Sequence, residues 1–481
     1  MRDDTNARPC RHDERMYPMT NAVQEKKYLR WYQKVAYGAG DLASNCSYGL
    51  VSSFILLYLT GTMGLNSAVI GTLMLLSKLV DGVSDVIFGS MIDRTHSKLG
   101  KARPWMLYGQ IGVSACLFLI FAIPGGSAAM QYAYFFVFYT ALNAVFYTAN
   151  NIAYSALTAL ITKNSNERVQ LGSIRFMFAV ITNIVMGFCV TGLVERFGGG
   201  AAGWRTVALI FAIIGLVVNT ISCLAVKELP EDAPAEGAKG GAATEKKPGF
   251  GTTVRLLIHN KYYLIILAIY IVYYIMSNLT TGAGVFFATY FWGDGSLLGT
   301  FSMMKMFPVI IALAVAPAFI KKAGSMQKVN FWGYAISCAL GVPMLIFAIQ
   351  KNFPMFLLFM FIKGIFAGFL SGSLNALIAE ASAYTTRTTG VRMDGMMYSC
   401  SSLGVKVGGG IGTAAVGWLL ALGGFDGTAA VQTAGAISMT FHLYVTLPLI
   451  IGVIITVLLA FLDVEKANKA WDAAHQKEES A

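Results

Sequence analysis

The sequence predicts an all-α polytopic membrane protein with about twelve transmembrane helices in two six-helix halves. Three observations predict it. The 481-residue chain is 56% hydrophobic and only 13% charged, with a mean hydropathy of +0.60. A soluble domain carries about 25% charged residues, so this chain could not cover a water-facing surface. The apolar residues gather into runs near the about 20 residues that cross a bilayer as a helix. The connections between runs alternate between basic and nearly bare.

Residues 1–35 read as a cytosolic N-terminal arm, polar, mixed in charge and disordered. The arm has no cleavable apolar stretch and so is not a signal peptide; Met16 and Met19 are candidate starts. Apolar runs follow near 36–62, 67–92, 104–124, 130–162, 169–195, 204–226, 261–291, 296–319, 329–349, 354–380, 394–423 and 439–463. The fourth and seventh are long enough to tilt or to extend past the bilayer. Residues 228–256 are rich in Pro, Gly, Ala and charge, which reads as a flexible cytosolic linker. It separates an N-terminal half, 36–227, from a C-terminal half, 257–464, with six runs in each; a cytosolic tail, 465–481, ends the chain. Six plus six suggests two pseudo-equivalent halves around a midplane site, although no repeat is visible in the residues themselves.

The net charge is +11. Its positions decide what it means. One set of loops holds Arg94, Lys98, Lys101 and Arg103, then Lys163 and Arg168, Lys227 to Lys247, Lys321 to Lys328, and Arg387 with Arg392; the other set is nearly bare. The positive-inside rule places both termini in the cytosol, and the basic excess is topological, not a nucleic-acid face. Seven scattered cysteines predict no disulfide and no metal site. Five histidines far apart along the chain offer no catalytic cluster, and no phosphate-binding G-x-x-x-x-G-K-[ST] occurs. The glycine cluster Gly404 to Gly412 reads as close helix packing.

Charges inside apolar runs need a reason. Lys78, Asp81 and Asp85 fall at i, i+3 and i+7, one face of the second helix. Each costs about 2.5–3.5 kcal/mol at a helix centre on insertion scales, and the usual reason is an ion or solute pathway. Asp41 and Asn45 share a face of the first run, where Asp41 near the cytosolic end could equally be solvated. Tyr147, Thr148, Asn151 and Tyr154 share a face of the fourth; their hydroxyl and amide oxygens suit a hard cation or sugar hydroxyls, or interhelical hydrogen bonds alone. Arg175 and Lys406 each need a partner in low dielectric. A structural salt-bridge network is the alternative reading of the whole set.

The second run and its loop read Asp81-Gly-Val-Ser-Asp85…Gly89…Asp93-Arg94-Thr95…Gly100-Lys101…Arg103-Pro104-Trp105. This resembles the glycoside–pentoside–hexuronide:cation symporter family of the major facilitator superfamily, which includes melibiose permease. Tyr37-Gly…Gly40-Asp41, Asn151-Ile-Ala-Tyr154, Gly390-Val-Arg392-Met-Asp394-Gly395 and Tyr398-Ser399 leading to Lys406-Val-Gly408 fit as well. The resemblance spans roughly 36–463 and implies the major facilitator fold. It implies a cation site at Asp81 and Asp85 helped by Thr148, with Lys406 reaching in from the other half and Arg175 facing a sugar pocket. Where melibiose permease has carboxylates on the first and fourth spans, this chain has Asn45 and Asn151; it has Ser44 for a lysine and Ser155 for a tryptophan.

The resulting expectation is a monomeric sugar:cation symporter of the cell membrane, not an enzyme, driven by H⁺ or Na⁺, with no cofactor. Cation-binding candidates are Asp81, Asp85, Thr148 and Asn151. Substrate-binding candidates are Asp41, Asn45, Tyr147, Asn151, Tyr154, Arg175 and Lys406. Gating ion pairs are expected among Lys78, Asp93, Arg94, Lys101, Arg103, Arg392 and Asp394. Transport of an amphipathic, lysophospholipid-like molecule by the same fold is the alternative.

Overall fold

The computed structural model describes residues 27–229, 257–389, 397, 399–429 and 431–479. Twelve long helices follow one another among them. In the N-terminal half these are α1 (Trp31–Thr62), α2 (Ser67–Asp93), α3 (Arg103–Ile120), α4 (128–161), α5 (Ser165–Arg196) and α6 (Gly200–Ala225). In the C-terminal half they are α7 (Lys261–Phe291), α8 (Leu297–Ala323), α9 (Met326–Ile349), α10 (Phe353–Thr389), α11 (Ser401–Leu422) and α12 (434–461). Ten of these stretches are long and apolar enough to span a bilayer; α3 and α4 are outside that set. Their residues explain it: α3 opens on Arg103-Pro104 and holds Gln110, and α4 carries Asn143, Thr148, Asn150 and Asn151.

Helix faces sort by what they meet. On α6, Ile213, Val217, Ile221 and Leu224 are exposed at helical spacing, while Val207, Phe211, Gly215, Asn219 and Ser222 are buried. An apolar face turned outward is stable only against lipid, which is as apolar as leucine. The polar residues therefore point into the bundle.

The twofold repeat that the sequence hides is written in the backbone. α1 ends in a π-turn, Tyr58–Thr62, closed by Met63 N–H donating to Tyr58 O and Leu65 N–H to Leu59 O. α7 ends in the same device, Phe287–Phe291, closed by Trp292 N–H to Phe287 O and Asp294 N–H to Ala288 O. Gly64 (φ 67°) and Gly293 (φ 84°) supply the same left-handed residue in each. A second echo follows the last helix of each half. The Glu228 carboxylate accepts from the amides of Lys101, Ala102 and Arg103 at 2.7, 3.0 and 3.1 Å, capping the start of α3. Glu465 accepts from the amides of Met326 and Gln327 at 2.9 and 3.3 Å and from the Ser325 hydroxyl, capping α9. Helix starts leave amides without partners, and a carboxylate there also meets the positive end of the helix dipole.

These caps move two boundaries. Glu228 belongs to the N-terminal half, not the linker, and Leu229 N–H donates to Leu160 O at 2.9 Å. The tail includes a helix, α13 (Val464–Glu479), held by Asn468 donating to Glu380 at 2.8 Å and by an Arg387–Asp472 ion pair at 3.1 Å. The expected arm before residue 27 and linker residues 230–256 lie outside the described residues.

One hydrophobic core joins the halves at the end away from the termini, mixing Phe54, Tyr58 and Leu59 with Phe286, Phe287 and Tyr444. At the terminus-side end there are two separate cores, one around Tyr37, Met106 and Leu157, the other around Tyr270, Leu377 and Leu459. Among the described residues, no apolar core shared by the halves closes that side, here called the open end. Along the joint, a Cβ on Gly417 of α11 would lie 2.3 Å from Ser67 O of α2, so only glycine permits this approach.

Candidate cation and solute site

α2 carries its two acids to the joint between the halves. Asp81 is buried, its side chain 7% exposed; Asp85, one turn nearer the open end, is 31% exposed. Lys406 of α11 crosses from the other half and places Nζ 2.6 Å from Asp81 Oδ2 and 3.0 Å from Asp85 Oδ2. Lys78 lies 3.8 Å from the same Asp81 oxygen and donates to the Tyr48 hydroxyl at 3.4 Å. The Thr148 hydroxyl lies 2.7 Å from Asp81 Oδ1 and 2.9 Å from Asn143 O, sharing its proton between them. Both distant partners are delivered by irregular backbone. Thr148 follows the π-turn 141–147 and Lys406 sits inside the π-turn Gly404–Gly408. Such turns rotate the next side chains off the regular helical stripe and recur at functional sites.

A second pair lies wholly within the N-terminal half. Arg175 Nε on α5 donates to Asp41 Oδ2 at 2.7 Å, with side chains 19% and 17% exposed. Its guanidinium stacks 4.0 Å from the Tyr154 ring centre and reaches the Thr158 hydroxyl. Asp41 is therefore paired, not merely solvated, and Arg175 is turned to it. Tyr154 is fully buried, and its hydroxyl donates to Tyr37 O at 2.7 Å. Asn45 donates to Asp41 O at 2.7 Å and accepts from Asn183 at 2.9 Å. Tyr147 stacks on Tyr48, centres 5.0 Å apart. The predicted polar face of α4 is thus divided: Thr148 serves the acids, Tyr147 the Tyr48 ring and Tyr154 the Arg175 pair. Asn151 is half-buried, and no hydrogen bond joins it to either acid among the described residues.

The expected loop latch is built differently. Arg103 is buried and donates to carbonyls, Cys223 O at 3.1 Å and Leu99 O at 3.4 Å, rather than to an acid. Trp105 Nε1 donates to the Thr95 hydroxyl at 2.8 Å, the Lys101 amide goes to Glu228, and Arg94 is exposed. All these bonds lie within one half. The Asp93 side chain, Arg392 and Asp394 lie outside the described residues.

Between the halves is a cavity lined by Ser53 and Asn183 from one side and Thr280, Thr281, Ser302 and Lys305 from the other. Lys305 and Lys363 are the residues that sequence reasoning passed over. Each interrupts an apolar run as plainly as Lys78 does, and the same test would have found them.

Two helical bundles joined at one end, a polar cavity between them and a buried acid–lysine cluster across the joint define a secondary transporter working by alternating access. Comparison with known proteins gives the family. The model of the MFS/sugar transport protein family matches residues 36–466, and the chain belongs to that family. It is a sugar:cation symporter of the major facilitator superfamily, not an enzyme. It is 28% identical to the isoprimeverose transporter of Lactiplantibacillus pentosus over 95% of this chain and 94% of that one. It is 25% identical to the putative glycoside/cation symporter YagG of Escherichia coli (strain K12), over 88% and 90% of the two chains. In fold it is similar to a bacterial homologue of the human lysosomal transporter Spinster, solved inward-facing and unoccupied, with a TM-score of 0.64, 14% identity, and 93% and 98% coverage.

Proposed function

We propose that a sugar occupies the cavity between the halves and that H⁺ or Na⁺ binds at Asp81 and Asp85 to drive its uptake. The observation that carries this reading is Lys406 from the C-terminal half lying 2.6 and 3.0 Å from the two acids of the N-terminal half. Two lysines and two carboxylates sum to zero. A cation arriving at the acids makes the cluster positive, so a lysine must give way, and the one tied across the joint is Lys406. Its release loosens the contact between α2 and α11 and couples cation binding to the opening of the halves, a free-energy link between two sites. By the positive-inside rule both termini lie in the cytosol of a cell-membrane protein, so the open end faces inward. The protein acts as a monomer and needs no cofactor. The hydroxyl and amide groups of the cavity favour a sugar over an amphipathic lipid.

The test is uptake into proteoliposomes of a panel of neutral glycosides, xylosides and uronides under an imposed H⁺ or Na⁺ gradient. Accumulation above equilibrium of at least one sugar is expected with one of the two ions. Flux that runs only downhill under both gradients would refute cation coupling.

A further inference from the structure

Among the described residues, the charged groups at the middle of the bundles do not balance. Lys78, Arg175 and Lys406 are matched by Asp41, Asp81 and Asp85. Lys305 and Lys363 are left over, and both belong to the C-terminal half. Lys363 lies ten residues into α10 from Phe353, about 15 Å along the helix, too deep to reach water beyond the headgroups by extending. It makes no hydrogen bond or ion pair among the described residues. Lys305 on α8 reaches only the hydroxyls of Thr280 at 3.1 Å and Thr281 at 3.2 Å.

Both lysines line one cavity inside the C-terminal half, together with Tyr273, Ser277, Tyr334 and Ser337. Lys305 also lines the central cavity, so the two spaces share it. The Tyr334 hydroxyl adds a further donor to this lining: the residue is 2% exposed, and its oxygen has no hydrogen-bond partner among the described residues. Buried polar groups in native proteins are almost always paired, and an uncompensated charge in low dielectric is the least tolerated case. Lys305 has one donor beyond its two threonines, Lys363 has three and Tyr334 has one. A carboxylate has about four acceptor sites and one negative charge. The donors fit an oxyanion, and no described carboxylate fills that role.

We propose that this cavity is an anion subsite that receives the carboxylate of an acidic sugar whose ring lies in the central cavity. The inference rests on the sugar-symport reading and deepens it. Arg175, which the family resemblance turns toward the sugar pocket, is already paired with Asp41. Lys305 and Lys363 hold the carboxylate instead, on helices of the other half.

The experiment compares uptake of methyl β-D-glucuronide and methyl β-D-glucoside into proteoliposomes under the same gradient, with sodium sulfate as a competing free anion. Wild type is expected to favour the glucuronide at least about tenfold in kcat/KM, as a charge-assisted contact would give. Lys305→Met and Lys363→Met should each cut that ratio about tenfold through KM, while Lys363→Arg, which keeps the charge, retains most of it. Equal use of both sugars by wild type overturns the subsite and leaves symport standing. An unchanged ratio in both methionine variants also overturns it, as does sulfate that inhibits both sugars alike. If neither sugar accumulates under either ion while another sugar of the panel does, the subsite fails and symport stands; if no sugar of the panel accumulates, both readings fail.

Discussion

Asp81→Asn tests the coupling cluster most directly. In the native cluster Lys78 and Lys406 balance Asp81 and Asp85, and a bound cation brings the sum to +1. Asp81→Asn gives the same +1 with no cation present, so the variant resembles a permanently loaded carrier. Its amide can still accept from Thr148, and Lys406 keeps Asp85 at 3.0 Å. The stability loss should therefore stay below the about 3–5 kcal/mol that follows from stranding a buried charge. The functional loss should be complete in one respect. One cation moving through 100 mV is worth about 2.3 kcal/mol, which at about 1.36 kcal/mol per factor of ten supports roughly 50-fold accumulation. Wild-type proteoliposomes should approach that ratio under an imposed potential, and Asp81→Asn should stop near one. Counterflow, in which unlabelled sugar inside exchanges for labelled sugar outside, needs no cation cycle and should survive. Concentrative uptake by Asp81→Asn, or loss of counterflow in a variant with a normal thermal midpoint, would refute the reasoning.

Three further perturbations address what positions the site. Arg175→Met and Asp41→Asn should each lower stability by roughly 2–3 kcal/mol, discounted from a fully buried pair for their partial exposure, and the double variant should recover at least about 1 kcal/mol; thermal unfolding of purified protein that gave additive losses would exclude a direct pair. Glu228→Ala and Glu465→Ala should each cost about 1–3 kcal/mol by stranding helix-start amides, and their effects should add because they act in different halves. Glu167, just before the membrane part of α5, is held below its ordinary value: burial opposes this, but hydrogen bonds from Thr162, Lys34 and the amides of Tyr28 and Leu29 outweigh it. A depressed carboxyl contributes stability above its unfolded value of about 4.5 that is lost as pH falls through the folded value. The unfolding midpoint of wild type should therefore drop more steeply below pH 4.5 than that of Glu167→Gln.

The helices and the acids were legible because lipid makes the code simple. An apolar run of sufficient length has few other uses, and Asp81 and Asp85 inside one stand out. Lys406 was legible as a charge in need of a partner. That its partners are those two acids lay in the resemblance, since the residues are more than 300 positions apart. The division of the α4 face was not legible, because a regular 3.6-residue period assigns Tyr147, Thr148 and Tyr154 to one stripe, whereas a π-turn ends at Tyr147. Nor was Glu228. It opens a stretch rich in charge and small residues, and composition cannot tell the last acid of a folded half from the first of a linker. The repeat was hidden for a related reason: Tyr58–Thr62 and Phe287–Phe291 share a hydrogen-bond pattern, not side chains.

The α2–α11 joint shows why the acids belong where they are. At its far end the two helices touch through Gly71, Ala414 and Gly417, with Trp418 Nε1 donating to Thr72 at 3.0 Å. At its near end Lys406 crosses to Asp81 and Asp85. Close backbone contact tolerates a change of crossing angle better than a change of separation, so the glycine end suits a pivot. An ion pair in low dielectric is strong when matched and unfavourable when not, so the lysine end suits a clasp. On the proposed reading, a cation at the acids changes the clasp alone and leaves the pivot intact. Moving the acids to the glycine end would remove the lever arm, and placing them on a lipid-facing stripe would remove the lysine. On the proposed reading, coupling depends less on the presence of two carboxylates than on their standing at the lysine end of the joint.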